Sequence, residues 1–337
     1  MAEVLRRYRA VISGVESPGY LRLKRHPVEI PPEATEGELW DLHDEEMERF
    51  WEAKGREECS PNLLDLKTEL AERVMHRCRL CRRRCLVDRA SGEAGHCGVL
   101  EARVASEFLH MGEEPPLVPS HTVFFAGCTL DCVYCQNHDI STDPRAGQHM
   151  DPREMADRIE ARTSGPDTRK NGRNVNWVGG DPTPNLHYIL QVLQHCRAEV
   201  PQIWNSNLYL SPESMDLLEG VIDLFLTDFK YGNDECAQRL SNCKEYTEVV
   251  ATNHVKAARH ADVLVRHLVL PGHLDCCTVP ILRWIRENLP DATVNVMGQY
   301  RPMHKAKRYK DLRLPLRVDE FRRAHTFAKE IGLEMVD

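Results

Sequence analysis

The chain has 337 residues, 42% of them hydrophobic and 28% charged, with a formal net charge of −8 at neutral pH. That length predicts about two domains, and the hydrophobic share is enough to bury a sizeable core. The negative balance argues against a whole-protein affinity for nucleic acid or an anionic membrane. No apolar run approaches the roughly 20 residues that span a bilayer, and the opening segment MAEVLRRYRAVISGVESPG lacks the apolar stretch of a signal peptide. A cytoplasmic location is therefore expected. Thiols stay reduced there, so thirteen cysteines point to metal or redox chemistry rather than disulfides. The scattered Cys59, Cys196, Cys236 and Cys243 read instead as small buried apolar residues.

In chain order, residues 1–75 read as a helical arm. Thr35 precedes a periodic stretch that brings Leu39, Leu42, Met47, Phe50 and Trp51 towards one face. Ser60 and Pro61 are placed to cap and start a second helix carrying Leu63, Leu64, Leu70 and Val74. Residues 76–117 are a cysteine-rich module, then a strand or two and a proline-rich linker. From 118 to 337, short apolar runs alternate with helical patterns. The candidate strands are HTVFFAG, NVNWVGG, QIWNSN, DLFLTDFK, VLVRHLVLP and TVNVMGQY. Between them lie DPREMADRIEAR, NLHYILQVLQHC, SPESMDLLEGV, one long helical stretch through 235–260 and VPILRWIRENL, and RVDEFRRAHTFAKEIG closes the series. Such alternation means parallel strands with crossover helices. Six units suit an open, partial (β/α)6 TIM-like barrel, in which chemistry collects at the carboxyl ends of the strands.

The loop after the first of these strands reads CTLDCVYC, with Cys128, Cys132 and Cys135 spaced by three and two residues. Iron–sulfur clusters normally take four thiolates. Three thiolates leave one iron of a four-iron cube open, the arrangement of a catalytic centre rather than a structural one. The competing reading is a zinc site completed by His138, or three coincidental thiols.

This spacing, the aromatic Tyr134 before the last cysteine and the partial barrel resemble the radical S-adenosylmethionine (radical SAM) superfamily. The resemblance implies a [4Fe-4S] cluster on Cys128, Cys132 and Cys135 whose open iron is chelated by the amino and carboxylate groups of S-adenosylmethionine (SAM). Reductive cleavage of SAM would give a 5′-deoxyadenosyl radical that abstracts hydrogen from a substrate. It further implies an electron donor such as flavodoxin or ferredoxin. Within GGDPTP, Gly179 and Gly180 look like the superfamily's glycine-rich motif at the methionine end of SAM. Asp181 stands where a glutamate is common, although such a motif is more often a plain strand-to-helix turn. Asn205, Ser206 and Asn207 would meet ribose hydroxyls or the SAM carboxylate. Asp228 and Lys230 resemble the DxK element of pyruvate formate-lyase activating enzymes. Two apart on a strand, they share a face, and a plain strand-end salt bridge is the alternative. Arg266 or His267 would reach SAM and substrate, and VNVMGQY would either line the adenine side through Val296 and Met297 or admit substrate past Gln299 and Tyr300.

The resemblance is to the activating-enzyme branch, and most closely to its PflX-like subgroup, over about 118–337. No cysteine occurs between Cys135 and Cys196, so the ferredoxin-like insert of some activases is absent. A polypeptide substrate is implied by that branch. A small metabolite or an RNA nucleotide remains open, as does a non-catalytic metal-binding interaction protein.

Cys78, Cys81, Cys85 and Cys97 form a second, closed group that suits tetrahedral zinc or an auxiliary iron–sulfur cluster. Arg77, Arg79, Arg82, Arg83 and Arg84 interleave with it, either to offset the charge of a tetrathiolate or to grip nucleic acid or an acidic protein tail. Few aromatics stand nearby, so base stacking has little support. Cys276 and Cys277 follow the fifth strand, where a thiol could donate a hydrogen atom or electron, or simply pack. His273 beside them is a candidate acid or base.

Overall fold

The structure, a computed structural model, describes residues 4–52, 57–165 and 171–336. Its centre is one eight-stranded sheet whose strands follow chain order. They are β1 (Val104–His110), β2 (Ser120–Phe125), β3 (Val175–Gly179), β4 (Gln202–Ser206), β5 (Leu224–Asp228), β6 (Asp262–Leu268), β7 (Thr293–Met297) and β8 (Glu334–Met335). All six expected strands are there as β2 to β7, paired in parallel. Strand β1 pairs antiparallel with β2, so the stretch before the barrel supplies an edge to the same sheet. At the other edge, two residues of β8 pair with β7. Strands β1 and β8 are not neighbours, and the barrel stays open between them.

The helices are α1 (Arg6–Ile12), α2 (Gly19–Leu23), α3 (Glu36–Glu52), α4 (Leu63–His76), α5 (His138–Ser141), α6 (Pro152–Thr163), α7 (Leu186–His195), α8 (Pro212–Leu218), α9 (Asp234–Ser241), α10 (Tyr246–Ala258), α11 (Val279–Asn288) and α12 (Val318–Glu330). Local signals set most of these limits. Asp151 and Ser211 each accept a bond from the first turn of the helix they precede, with proline at its start. Two expectations are corrected. Helix α4 is capped by Asn62, which exchanges bonds with Asp65, and not by Ser60. The stretch expected as one long helix is two, broken where Asn242 and Glu245 both take left-handed backbone conformations that cannot continue a helix.

The arm shares one continuous core with the barrel, Leu23, Leu63 and Leu70 packing in the same cluster as Leu193, Leu218 and Val221. Helix α1 closes the amino ends of the strands. Its Leu5 and Tyr8 pack with Ile203, Leu224 and Leu264. The Tyr8 amide donates to the Asp262 carboxylate at 2.8 Å, and Arg7 pairs with Asp223. With that end sealed, the carboxyl ends are left for chemistry.

One buried cation marks where arm meets barrel. Lys67 of α4 is 0% exposed and donates at 2.8 Å both to His43 Nε2 and to the Asp216 carbonyl. Burial pushes its ammonium down to about 7, from an ordinary 10.5. Between those values the unfolded chain binds the extra proton, so stability rises with pH across that window. Replacing Lys67 with methionine should flatten the rise, which is worth on the order of a few kcal/mol. Urea midpoints taken from pH 7 to pH 10 check it; an equal slope in both proteins would refute the assignment.

Candidate active site

A cavity of about 450 Å³ opens at the carboxyl ends of the strands, within the roughly 300–1,000 Å³ usual for small-molecule sites. The loop between β2 and α5 brings Cys128, Cys132 and Cys135 to it together. That loop is held through its backbone. Gly127 donates to Ile140 at 2.9 Å, Asp131 to Ser241 at 3.1 Å, and Val133 to Leu240 at 2.9 Å. Its sulfurs already receive donors: the Ser241 hydroxyl reaches Cys132 at 2.9 Å and the Leu130 amide reaches Cys128 at 3.4 Å. Burial pushes the Cys128 thiol well above its ordinary range and that of Cys132 to about 11. Thiolates here therefore need a cationic centre. Among the described residues the only group with all ligand atoms within 4.8 Å of one another lies elsewhere. His138 does not join them; its ring lies against His304 at 5.0 Å.

Around the same cavity stand Gly179 and Gly180, Asn205, Ser206 and Asn207, Asp228 and Lys230, Arg266, Met297 and Gln299. The glycine pair has a steric reason. A Cβ on Gly180 would sit 2.1 Å from the Gly127 carbonyl oxygen, and one on Gly179, at φ 129°, would sit 2.2 Å from backbone of Phe125. Only bare backbone lets β3 end so close to the cysteine loop. Lys230 and Asp228 face the cavity as a 2.7 Å ion pair. Burial works against the ammonium, but Asp228 and Cys132 outweigh it and hold Lys230 well above its ordinary value. Tyr134 also borders the cavity, its hydroxyl donating to Tyr231 at 2.9 Å and its ring edge-on to Tyr300.

Asp181, His267 and Val296 are not brought to the cavity. Asp181 is 2% exposed, and its two oxygens accept from Thr129, Asn207, Ser206 and both the amide and hydroxyl of Thr183. No acceptor capacity is left for a ligand's amino group; Asp181 instead ties the cysteine loop to the ends of β3 and β4. His267 is fixed between the Phe229 carbonyl and the Thr278 hydroxyl, at 2.8 and 2.9 Å, and burial holds it at about 4. Strand alternation explains both it and Val296. Arg266 and Leu268 point inward on β6, and Met297 does so on β7, so their neighbours face the helices. Tyr300 likewise points away, donating to the Leu312 carbonyl.

The sequence reading missed one wall of the cavity. His110 at the end of β1, with Gly112 and Glu113 just after it, lines it. Glu113 and Glu114 together grip Arg266, whose Nε donates to Glu114 at 2.8 Å. The adjacent acids of GEEPP were the available signal, but nothing local says which cation they meet.

The cysteine-rich module sits directly on the three-cysteine loop. Arg83 donates to the Thr129 carbonyl at 2.6 Å, and His96 meets Asp131 at 3.1 Å. Cys81 is bridged to Leu210, and burial pushes its thiol to about 12. Arg82 is paired with Glu245, and Arg79 and Arg84 with Glu213. Arg79, Arg82 and Arg84 thus pair with carboxylates of the chain itself, while Arg77 is exposed. Cys78, Cys85 and Cys97 stand near enough to Cys81 to raise its thiol further. Cys276 and Cys277 do not line the cavity either.

The Radical SAM superfamily model matches residues 122–285, the span from β2 into α11. An uncharacterized protein of Methanocaldococcus jannaschii is 44% identical over 309 residues, 89% of each chain. The pyruvate formate-lyase 1-activating enzyme of Escherichia coli strain K12 is 26% identical over 156 residues, 45% of this chain and 61% of that one. Among solved structures, methylornithine synthase covers 98% of the chain and 78% of its own, at 13% identity and a TM-score of 0.46. No helix among the described residues is long and apolar enough to cross a membrane.

Proposed function

The chain belongs to the radical SAM superfamily, and from that premise we propose that it cleaves SAM reductively and abstracts hydrogen from a polypeptide substrate. One observation carries the first half: three thiols of a single loop face the same cavity as the polar ends of β3, β4 and β5. The family implies a [4Fe-4S] cluster and SAM, which together supply a 5′-deoxyadenosyl radical when an outside donor of the flavodoxin or ferredoxin class provides an electron. Cys128, Cys132 and Cys135 would hold the cluster. Lys230, fixed by Asp228, presents a protonated ammonium for a carboxylate, and Asn205 presents an amide for hydroxyls. Gly179 and Gly180 offer bare backbone at the far wall. Apolar Met297 and the buried Tyr134 ring make an adenine face that excludes water.

The polypeptide rests on the similarity to an activating enzyme and on the open edge between β1 and β8. Reduced enzyme and SAM are incubated with size-fractionated extract of the source cell. Formation of 5′-deoxyadenosine above the uncoupled background should follow the protein fraction; if it follows the small-molecule fraction, the substrate is a metabolite.

For the module we infer an auxiliary iron–sulfur cluster on Cys78, Cys81, Cys85 and Cys97, a closed group of four thiols that such a cluster suits. Replacing Cys78 and Cys81 with serine should lower bound iron while leaving the SAM-sensitive EPR signal.

A further inference from the structure

Away from the cavity, the first turn of α9 and the turn that follows β6 bring together Cys236, His273, Cys276 and Cys277, with all four ligand atoms within 4.8 Å of one another. His273 Nδ1 lies 3.4 Å from the Cys276 sulfur, 3.5 Å from that of Cys236 and 3.9 Å from that of Cys277. The Cys276 sulfur is 4.0 Å from Cys236 and 3.9 Å from Cys277. One imidazole nitrogen makes one hydrogen bond, so hydrogen bonding does not account for three sulfurs gathered around it. A metal at the centre does. Tetrahedral zinc, with Zn–S about 2.3 Å and Zn–N about 2.0–2.1 Å, sets sulfurs about 3.8 Å apart and sulfur to nitrogen about 3.5 Å apart. The observed edges follow that tetrahedron and are too short for a multi-iron cluster.

The surroundings complete the site. The other nitrogen of His273, Nε2, is 2.9 Å from an oxygen of Asp311, which Arg239 grips at 2.5 Å. Asp311 is a carboxylate ion-paired with Arg239, and such a group accepts. A proton on Nε2, donated to Asp311, leaves the Nδ1 lone pair for a metal, the usual carboxylate–histidine–metal relay. Asn233 caps the Cys236 amide through its oxygen and donates its nitrogen to the Cys276 carbonyl at 2.8 Å, holding both loops in register. Cys236, His273 and Cys277 are buried, whereas Cys276 is exposed and gives the ion a way in.

We propose that Cys236, His273, Cys276 and Cys277 bind one structural zinc ion, which clamps the start of α9 to the turn before α11. The four protein ligands leave no open position. The far end of α9 carries Leu240 and Ser241, which hold Val133, Asp131 and the Cys132 sulfur. Zinc at one end of this helix thus steadies the three-cysteine loop at the other. Cys276 and Cys277 are then ligands and not hydrogen donors to a substrate radical.

The test is metal analysis of anaerobically purified full-length protein, with zinc and iron counted separately. Wild type should carry one zinc per chain. Cys236→Ser with Cys276→Ser should lose it and keep its iron, and Cys78→Ser with Cys81→Ser should keep the zinc. Should the double variant fold poorly, two measurements remain. Cobalt(II) exchanged into the wild type should show the absorption of tetrahedral thiolate coordination. Asp311→Asn should weaken zinc about 10- to 100-fold in chelator competition, since it removes only the outer partner. Zinc kept by the Cys236/Cys276 variant, zinc lost instead from the Cys78/Cys81 variant, or a disulfide among the four residues by mass mapping would each overturn the assignment.

Discussion

Replacing Cys128, Cys132 and Cys135 together with alanine should abolish both the SAM-sensitive EPR signal and all production of 5′-deoxyadenosine. The expected effect is complete, because all three ligands come from one loop and no other thiol lines the cavity. The substitution should leave the fold in place. The loop is anchored by the amides of Gly127, Asp131 and Val133 and, at its end, by Lys305 donating to the Val133 carbonyl at 2.8 Å. None of these bonds passes through a cysteine side chain. Circular dichroism and a urea melt of the triple variant therefore accompany the assay. Cleavage that survives in a folded triple variant would refute the cluster assignment.

The second large effect belongs to Arg266. Its guanidinium stands between Glu113 and Glu114, whose side chains are 6% and 2% exposed. Burial alone would raise the Glu114 carboxyl, but Arg266 and Asn295 outweigh it and hold it below its ordinary 4.5. Arg266→Met strands both carboxylates, and breaking a buried pair in this way costs about 3–5 kcal/mol. The pH dependence should then reverse. In the wild type, this contribution is present above pH 4.5 and fades as pH falls through the lower folded value. In the variant, burial without a cation raises the folded Glu114 carboxyl, so the loss is largest at neutral pH and shrinks on acidification. Arg266→Lys should rescue little, because one ammonium does not reproduce the fork that reaches two carboxylates. Urea midpoints at pH 7 and pH 5 test this; a variant as stable as wild type at pH 7 would show that the triad is not what ties β1's loop to β6.

Much of this protein is legible along the chain. The six strands, their helices and the three-cysteine loop were expected and are found, because period, capping residues and ligand spacing are written within a few residues of one another. Asp228 and Lys230 share the cavity face for the same reason. The phase of β6 and β7 was not legible. Both of their faces are covered in a barrel, so Arg266 and His267 look alike in sequence until the strand is rolled into the sheet.

Partners from distant segments were further out of reach. Asp181 reads as a ligand-binding acid, yet its donors come from the cysteine loop, the turn after β3 and the end of β4, and together they consume it. Glu113 and Glu114 find Arg266 some 150 positions away only because β1 folds back against β2 and the sheet curls. Cys236 reads as a lone apolar thiol, and becomes one corner of a tetrahedron when parallel pairing sets the start of α9 beside the turn after β6. By itself, then, the sequence determined which elements form and which loop carries the thiols, since those depend on neighbours in the chain. The tertiary structure alone decided which buried charges and sulfurs meet, because burial removes the water that would otherwise satisfy each group and makes its one nearby partner decisive.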